Sequence, residues 1–207
     1  MNVQKILQEY LATKDIAKVI SFAELSNSAF LYCIAGTHYM TTELNDELVE
    51  KYMLQSLNIE ILPMCAYNLA YFYESKIRSL GNSLPNKEEY ETKMIKYYEI
   101  AISYHSYEAH NQLGYYFINE PDRIFLGKTP LELLEIAANK DILPAVNNLL
   151  NYYKNKNDID KIIDLFEKKY LITSDTLVLM DFILAMLNGK RYKKYFVYFD
   201  KYRKGHY

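Results

Sequence analysis

Residues 109–117 read AHNQLGYYF: a small residue, Leu four positions later, Gly five later and an aromatic at eight. Positions 0, +4, +5 and +8 share one face of an α-helix, because a turn takes about 3.6 residues. The same spacing returns at 65–73, CAYNLAYFY, and at 145–153, AVNNLLNYY. Leu69, Leu113 and Leu149 hold the +4 place, Ala70, Gly114 and Leu150 the +5 place, and Tyr73, Phe117 and Tyr153 the +8 place.

A second helix precedes each of these, with its inward places expected 11, 8, 7 and 4 residues before the register residue. They are Leu54, Leu57, Asn58 and Ile61, then Tyr98, Ala101, Ile102 and His105, then Leu134, Ala137, Ala138 and Asp141. An upstream copy fits with its register residue at Phe30, using Val19, Phe22, Ala23 and Ser26, then Ile34 and Ala35. A degenerate copy fits at Ser174, using Ile163, Phe166 and Tyr170, then Val178, Leu179 and Phe182. The steps from 30 through 65, 109 and 145 to 174 are 35, 44, 36 and 29 residues. Periods of this size belong to repeats of paired helices. The long step is assigned to a loop inserted over Arg78–Asn86, RSLGNSLPN, whose Gly, Asn and Pro mark a connection.

Helices are therefore predicted over 3–12, 14–26, 28–40, 44–58, 63–78, 87–104, 106–119, 129–140, 144–155, 158–170, 174–188 and 190–204. Pro63 and Pro144 suit helix starts, where a missing N–H costs nothing. Thr129 before Pro130, with Glu132 following, reads as an N-cap.

The segment KMIKYYEIAISYHSYEA at 93–109, followed by LGYYF at 113–117, resembles the Sel1-like branch of tetratricopeptide repeats. The resemblance extends over 54–153 and more weakly over 14–189. It implies an all-α, right-handed α-solenoid of antiparallel helix pairs, about five to six repeats in a single domain over 1–207. Its function would be that of a non-catalytic protein- or peptide-binding scaffold. The Tyr- and Asn-rich style is also similar to that of repeat proteins encoded by giant DNA viruses, which would place the chain in host cytoplasm or a virus particle. If the family geometry holds, the groove-facing places are Tyr67, Tyr71 and Ser75, then Asn111, Tyr115 and Asn119, then Asn147, Asn151 and Asn155. In related repeat proteins such asparagine ladders hold the backbone of an extended peptide. A tetratricopeptide carboxylate clamp is not evident: Lys154 lies near the groove, but Asn111 and Tyr115 stand where a matching base would be. Asn is an unfavourable interior helix residue, by roughly 0.6 kcal/mol against Ala. Either function or an A+T-rich codon bias accounts for so many.

The 207 residues are half hydrophobic, with a formal net charge of −2, six glycines and five prolines. That composition suits a folded helical chain and excludes a disordered one. The most apolar run, Thr176–Leu187, is broken by Asp181 and falls short of the roughly 18 residues that cross a bilayer. The N-terminus carries no secretory signal pattern. Cys33 and Cys65 are expected to be isolated, buried and inert, in a reducing, cytoplasmic setting. No phosphate-cradling glycine loop, HExxH or nucleophile elbow is present, so no enzyme, cofactor or metal is expected, and His105 is assigned to packing.

Charge is unevenly distributed. Residues 190–207 carry Lys190, Arg191, Lys193, Lys194, Lys201, Arg203 and Lys204 against one acid, whereas residues 1–189 carry 17 bases against 25 acids. Tyr195, Tyr198, Phe199 and Tyr202 form a helical stripe, which favours a basic terminal capping helix with a tail. The alternatives are a nucleic-acid or anionic-membrane contact and charge-driven self-association as a homo-oligomer.

Overall fold

The computed structural model describes residues 3–190, and among these every regular element is helical. The helices are α1 (Val3–Thr13), α2 (Ile16–Ser26), α3 (Ala29–His38), α4 (Asp46–Ile59), α5 (Pro63–Leu80), α6 (Lys87–Ser103), α7 (Tyr107–Tyr116), α8 (Pro130–Asn139), α9 (Leu143–Lys156), α10 (Ile159–Thr173) and α11 (Thr176–Asn188). The cap and tail expected over 190–207 lie outside the described residues, Lys190 excepted. The chain divides into two compact units, 1–109 and 110–207. In the first, each helix from α1 to α6 packs on the next; in the second, α8 to α11 do the same. This is a helical-repeat-like arrangement of consecutive pairs.

One turn device recurs. Asn27, His105, Asp141 and Ser174 adopt left-handed backbone, with φ of 48°, 66°, 61° and 52°. In three of these turns the next amide donates to a carbonyl five residues back: Ser28 to Ala23, Ser106 to Ala101 and Ile142 to Ala137, at 2.9–3.2 Å. Such a cap satisfies an orphan helix carbonyl while reversing the chain. His105 and Asp141 are therefore turn residues, exposed rather than packed inward as expected.

Four residues after each left-handed residue comes the buried register residue of the following helix: Leu31, Ala109, Ala145 and Val178. Cys65 takes the same place in α5, and all five helices start two residues earlier. Two expectations are corrected. The first copy registers on Leu31, with Phe30 39% exposed and Ala35 and Gly36 buried. The last registers on Val178, one helical turn beyond Ser174, so that Phe182 and Met186 take the +4 and +8 places. The steps become 34, 44, 36 and 33. In α4 the buried face is Val49, Tyr52, Met53 and Ser56, with Asn58 and Ile61 exposed, because α4 leads into α5 through extended backbone at Glu60 instead of a left-handed cap.

The 44-residue step is not a loop insertion. α5 continues to Leu80 and only 81–86 connect it to α6. Buried Glu74 accepts from Arg78 Nε one turn on, at 2.7 Å, which ties the extra turn to the helix. Leu84 in the connection is itself buried. Tyr73 stacks on Tyr97 at 6.1 Å and meets the edge of Tyr90 at 5.7 Å, filling the space between the lengthened pair.

The N-cap expected at Thr129 is present as a reciprocal capping box with Glu132. Between α3 and α4 a π-helical segment, Tyr39–Glu43, interrupts the reversal. Buried His38 stands 3.0 Å from the Tyr10 hydroxyl through Nδ1 and 3.1 Å from Glu43 through Nε2, linking α1 to this segment. In the second unit an apolar cluster runs from Leu134 and Ala138 through Leu149 and Phe166 to Leu179 and Phe182.

The +5 place governs how closely the next helix approaches. A Cβ on Gly36 would stand 2.5 Å from Met53 Cγ with backbone atoms of Met53 and Val49 at 3.2 and 3.3 Å, whereas one on Gly114 would meet backbone more closely, 2.7 Å from the Pro130 carbonyl oxygen and 3.1 Å from the Leu134 nitrogen. Gly→Ala within a helix ordinarily stabilises by about 1 kcal/mol. Gly114→Ala is expected to reverse that sign and cost about 1–3 kcal/mol, as overpacking does, while Gly36→Ala costs less. Urea unfolding of the two variants measures the difference.

Candidate binding faces

In the first unit Tyr67 and Tyr71 stack at 6.4 Å with ring planes 10° apart. Tyr67 also leans on Tyr98 at 6.0 Å, and the Tyr98 hydroxyl donates to buried Glu74 at 2.5 Å. Tyr67 is thus half-buried and braced, while Tyr71 is 43% exposed. A shallow hollow of about 420 Å³ opens beside Met64, Tyr67, Tyr104, His105 and Glu108, at the start of α5.

In the second unit the asparagines separate into two kinds. Asn111 on α7 is buried, and its Oδ1 accepts from Asn148 Nδ2 of α9 at 3.0 Å. Asn68 occupies the place in α5 that Asn148 occupies in α9, three after the register residue, and donates to Thr37 Oγ1 of α3 at 3.1 Å. These two amides join the second helix of one pair to that of the pair before it. Sequence reasoning passed over them, although Asn68, Gln112 and Asn148 form an amide column at +3. By contrast, Asn147 is half-buried and Asn151 and Asn155 are exposed, on one face of α9. None of the three has a side-chain hydrogen bond among the described residues. Tyr115 is 43% exposed, and Asn119 lies in the turn beyond the end of α7.

The corrected register adds two residues to this face. Met180 and Leu184 on α11 hold the places of Asn147 and Asn151 on α9, and are 59% and 51% exposed. Placing the last copy on Ser174 had hidden them. Lys154 lies over the Phe166 ring at 5.1 Å, and Lys190 is exposed with left-handed backbone. Arg191, Lys193, Lys194, Lys201, Arg203 and Lys204 lie outside the described residues.

Tyr153 donates to Glu135 at 3.1 Å, and burial, then the Glu135 charge, pushes its phenol up to about 12. Burial likewise raises Tyr10, Tyr32, Tyr39, Tyr73, Tyr97 and Tyr98. Among the described residues no three His, Cys, Asp or Glu side chains converge to hold a metal ion, and no helix is long and apolar enough to cross a membrane. No family model matches the chain, and no curated protein matches it.

Two expectations follow from this geometry. Asn111→Ala leaves the Asn148 amide without its acceptor and is expected to cost about 1–3 kcal/mol, whereas Asn151→Ala is expected to be neutral or stabilising by roughly half a kcal/mol from helix propensity. Thermal or urea unfolding distinguishes them. The raised phenols fix the sign of the alkaline response. Their stabilisation is complete below the ordinary tyrosine value near 10 and is lost as pH rises from there through their folded values. Ionisation of these buried phenols and loss of helical circular dichroism should therefore rise together above pH about 10.

Proposed function

We propose that the chain is a Sel1-like, tetratricopeptide-type repeat protein, a right-handed solenoid in which the second helices of the pairs present a non-catalytic surface for a protein or peptide partner. The observation that carries this reading is the α9 stripe. Asn147, half-buried, and Asn151 and Asn155, exposed, recur every four residues and make no side-chain hydrogen bond among the described residues. Each amide offers a donor and an acceptor together, the complement of one peptide group. Asn111, at the register place of Asn147, is spent on Asn148 and acts in folding. An extended backbone lying along α9 would satisfy the exposed amides, and the apolar Met180 and Leu184 suit a partner that adds an apolar side chain.

A second reading has its own support. Leu177, Met180, Leu184 and Leu187 are exposed along α11 at spacings of three and four, a stripe suited to self-association within a larger assembly. Sedimentation across a range of concentrations tests it: a mass independent of concentration removes this reading.

For the leading reading, the variant Asn147→Ala/Asn151→Ala/Asn155→Ala is compared with the wild-type chain by affinity capture and quantitative mass spectrometry from the native cell. Each lost amide contact removes about 0.5–1.5 kcal/mol of net binding, so the captured partner is expected to fall at least about tenfold. Stability should stay level or rise. Loss of stability, or unchanged capture, rejects the groove assignment.

A further inference from the structure

The hollow at the start of α5 joins aromatic side chains to a carboxylate, and no lysine or arginine lines it. Its lining residues all belong to the first unit. Tyr67 contributes one ring, fixed in place by the stack on Tyr71 and the lean on Tyr98. Tyr104, where α6 ends, contributes another and is 49% exposed. Among the described residues no ring stacks on Tyr104 and no cation lies over it. Met64, also exposed, adds a flexible and polarisable thioether. Glu108 stands exposed in the first turn of α7. Its Oε2 accepts from Ser106 Oγ at 3.3 Å, while Ser106 Oγ accepts from the Ala109 amide at 3.2 Å. Ser106 thus caps α7 and orients the carboxylate, and no lysine or arginine among the described residues pairs with Glu108.

Elsewhere in the same unit the chain covers its rings with its own ammonium groups. Lys51 lies over Tyr52 at 5.0 Å, Lys76 over Phe72 at 5.5 Å and Lys96 over Tyr97 at 5.3 Å. The face of an aromatic ring attracts a cation through its quadrupole, and a neighbouring carboxylate adds Coulomb attraction. The hollow has both attractions without a lysine or arginine to meet them. The helix ends agree with this preference. Tyr104 caps α6, whose last carbonyls carry partial negative charge, and Pro63 at the start of α5 has no N–H to offer an anion. The positive end of α7 is already answered by Ser106 and Glu108.

We propose that this hollow binds the basic side chain of a partner, a lysine or an arginine, with its cation over Tyr104 and paired with Glu108 and its aliphatic stem against Tyr67 and Met64. The stem buries apolar surface while the charge stays near water, as long basic side chains commonly do. Tyr67 holds a place predicted to face the groove, so the site deepens the partner-binding reading by naming one side chain that the partner brings. It rests on that reading only for the source of the cation.

The test uses the full-length chain, isotope-labelled at the methyl groups of its seven methionines, with the Met64 signal assigned by its loss in Met64→Leu. The probes are n-butylammonium and n-propylguanidinium chlorides, which are the side chains of lysine and arginine without a backbone. Butanol, sodium propionate and sodium chloride serve as controls. The Met64 methyl signal should move saturably with at least one of the two cations and with none of the controls. Tyr104→Ala and Glu108→Gln should each weaken binding about three- to fivefold, while Tyr104→Phe, which keeps the ring face, should bind as the wild type does. Both side chains are exposed, so the urea midpoints of these variants should stay level. The proposal is overturned if neither cation gives a saturable shift, if butanol or propionate matches them, or if Tyr104→Ala and Glu108→Gln both bind like the wild type. Loss of partner capture in the α9 variant with cation binding intact leaves this inference standing; normal capture with no cation binding removes this inference alone.

Discussion

A left-handed residue closes the first helix of four pairs, and its position decides which face of the following helix turns inward. Asn27, His105, Asp141 and Ser174 each stand four residues before the buried register residue of the next helix. A non-glycine residue in this region is conformationally costly. The cost is offset because the cap satisfies a carbonyl that would otherwise be buried unpaired, as in the Ser106 to Ala101 bond. Displacing the cap by one residue would rotate the next helix by about 100°. Leu31, Ala109, Ala145 and Val178 would then leave the core together with everything stacked on them.

Once the phase is set, the +5 residue sets the distance. Gly36 and Gly114 let backbone meet backbone, and no side chain fits there without displacing Met53 or the start of α8. Close approach brings polar side chains of neighbouring second helices within hydrogen-bond reach. Asn68 and Asn148 use this to bond Thr37 and Asn111 across the pairs. A buried amide is costly unless paired, so these bonds also oppose sliding of one pair along another. Packing geometry and amide pairing are thus consequences of one phase and one distance.

The lengthened α5 and α6 show how the pattern absorbs extra chain. Arg78 pairs with the charge of Glu74 one turn earlier, Tyr98 donates to the other carboxylate oxygen, and Tyr90 and Tyr97 both meet the Tyr73 ring. Aromatic rings cover large areas at low entropic cost. A tyrosine-rich core also keeps polar hydroxyls at its margins, where Glu74 and Glu135 receive two of them.

The amino-acid sequence by itself determined the all-helical class, the pairing and three of the five registers. Cys65, Ala109 and Ala145 each begin a complete 0, +4, +5, +8 face, and periodicity is a local property. It misplaced the outer two. Phe30 is more hydrophobic than a register residue requires, and Ser174 satisfies the spacing although it is the turn. Neither ambiguity is resolved by composition, because the choice depends on where the left-handed cap falls. The α9 asparagines were legible as an outward stripe, but that Asn111 is occupied while Asn151 is not became visible only with Asn148 in place.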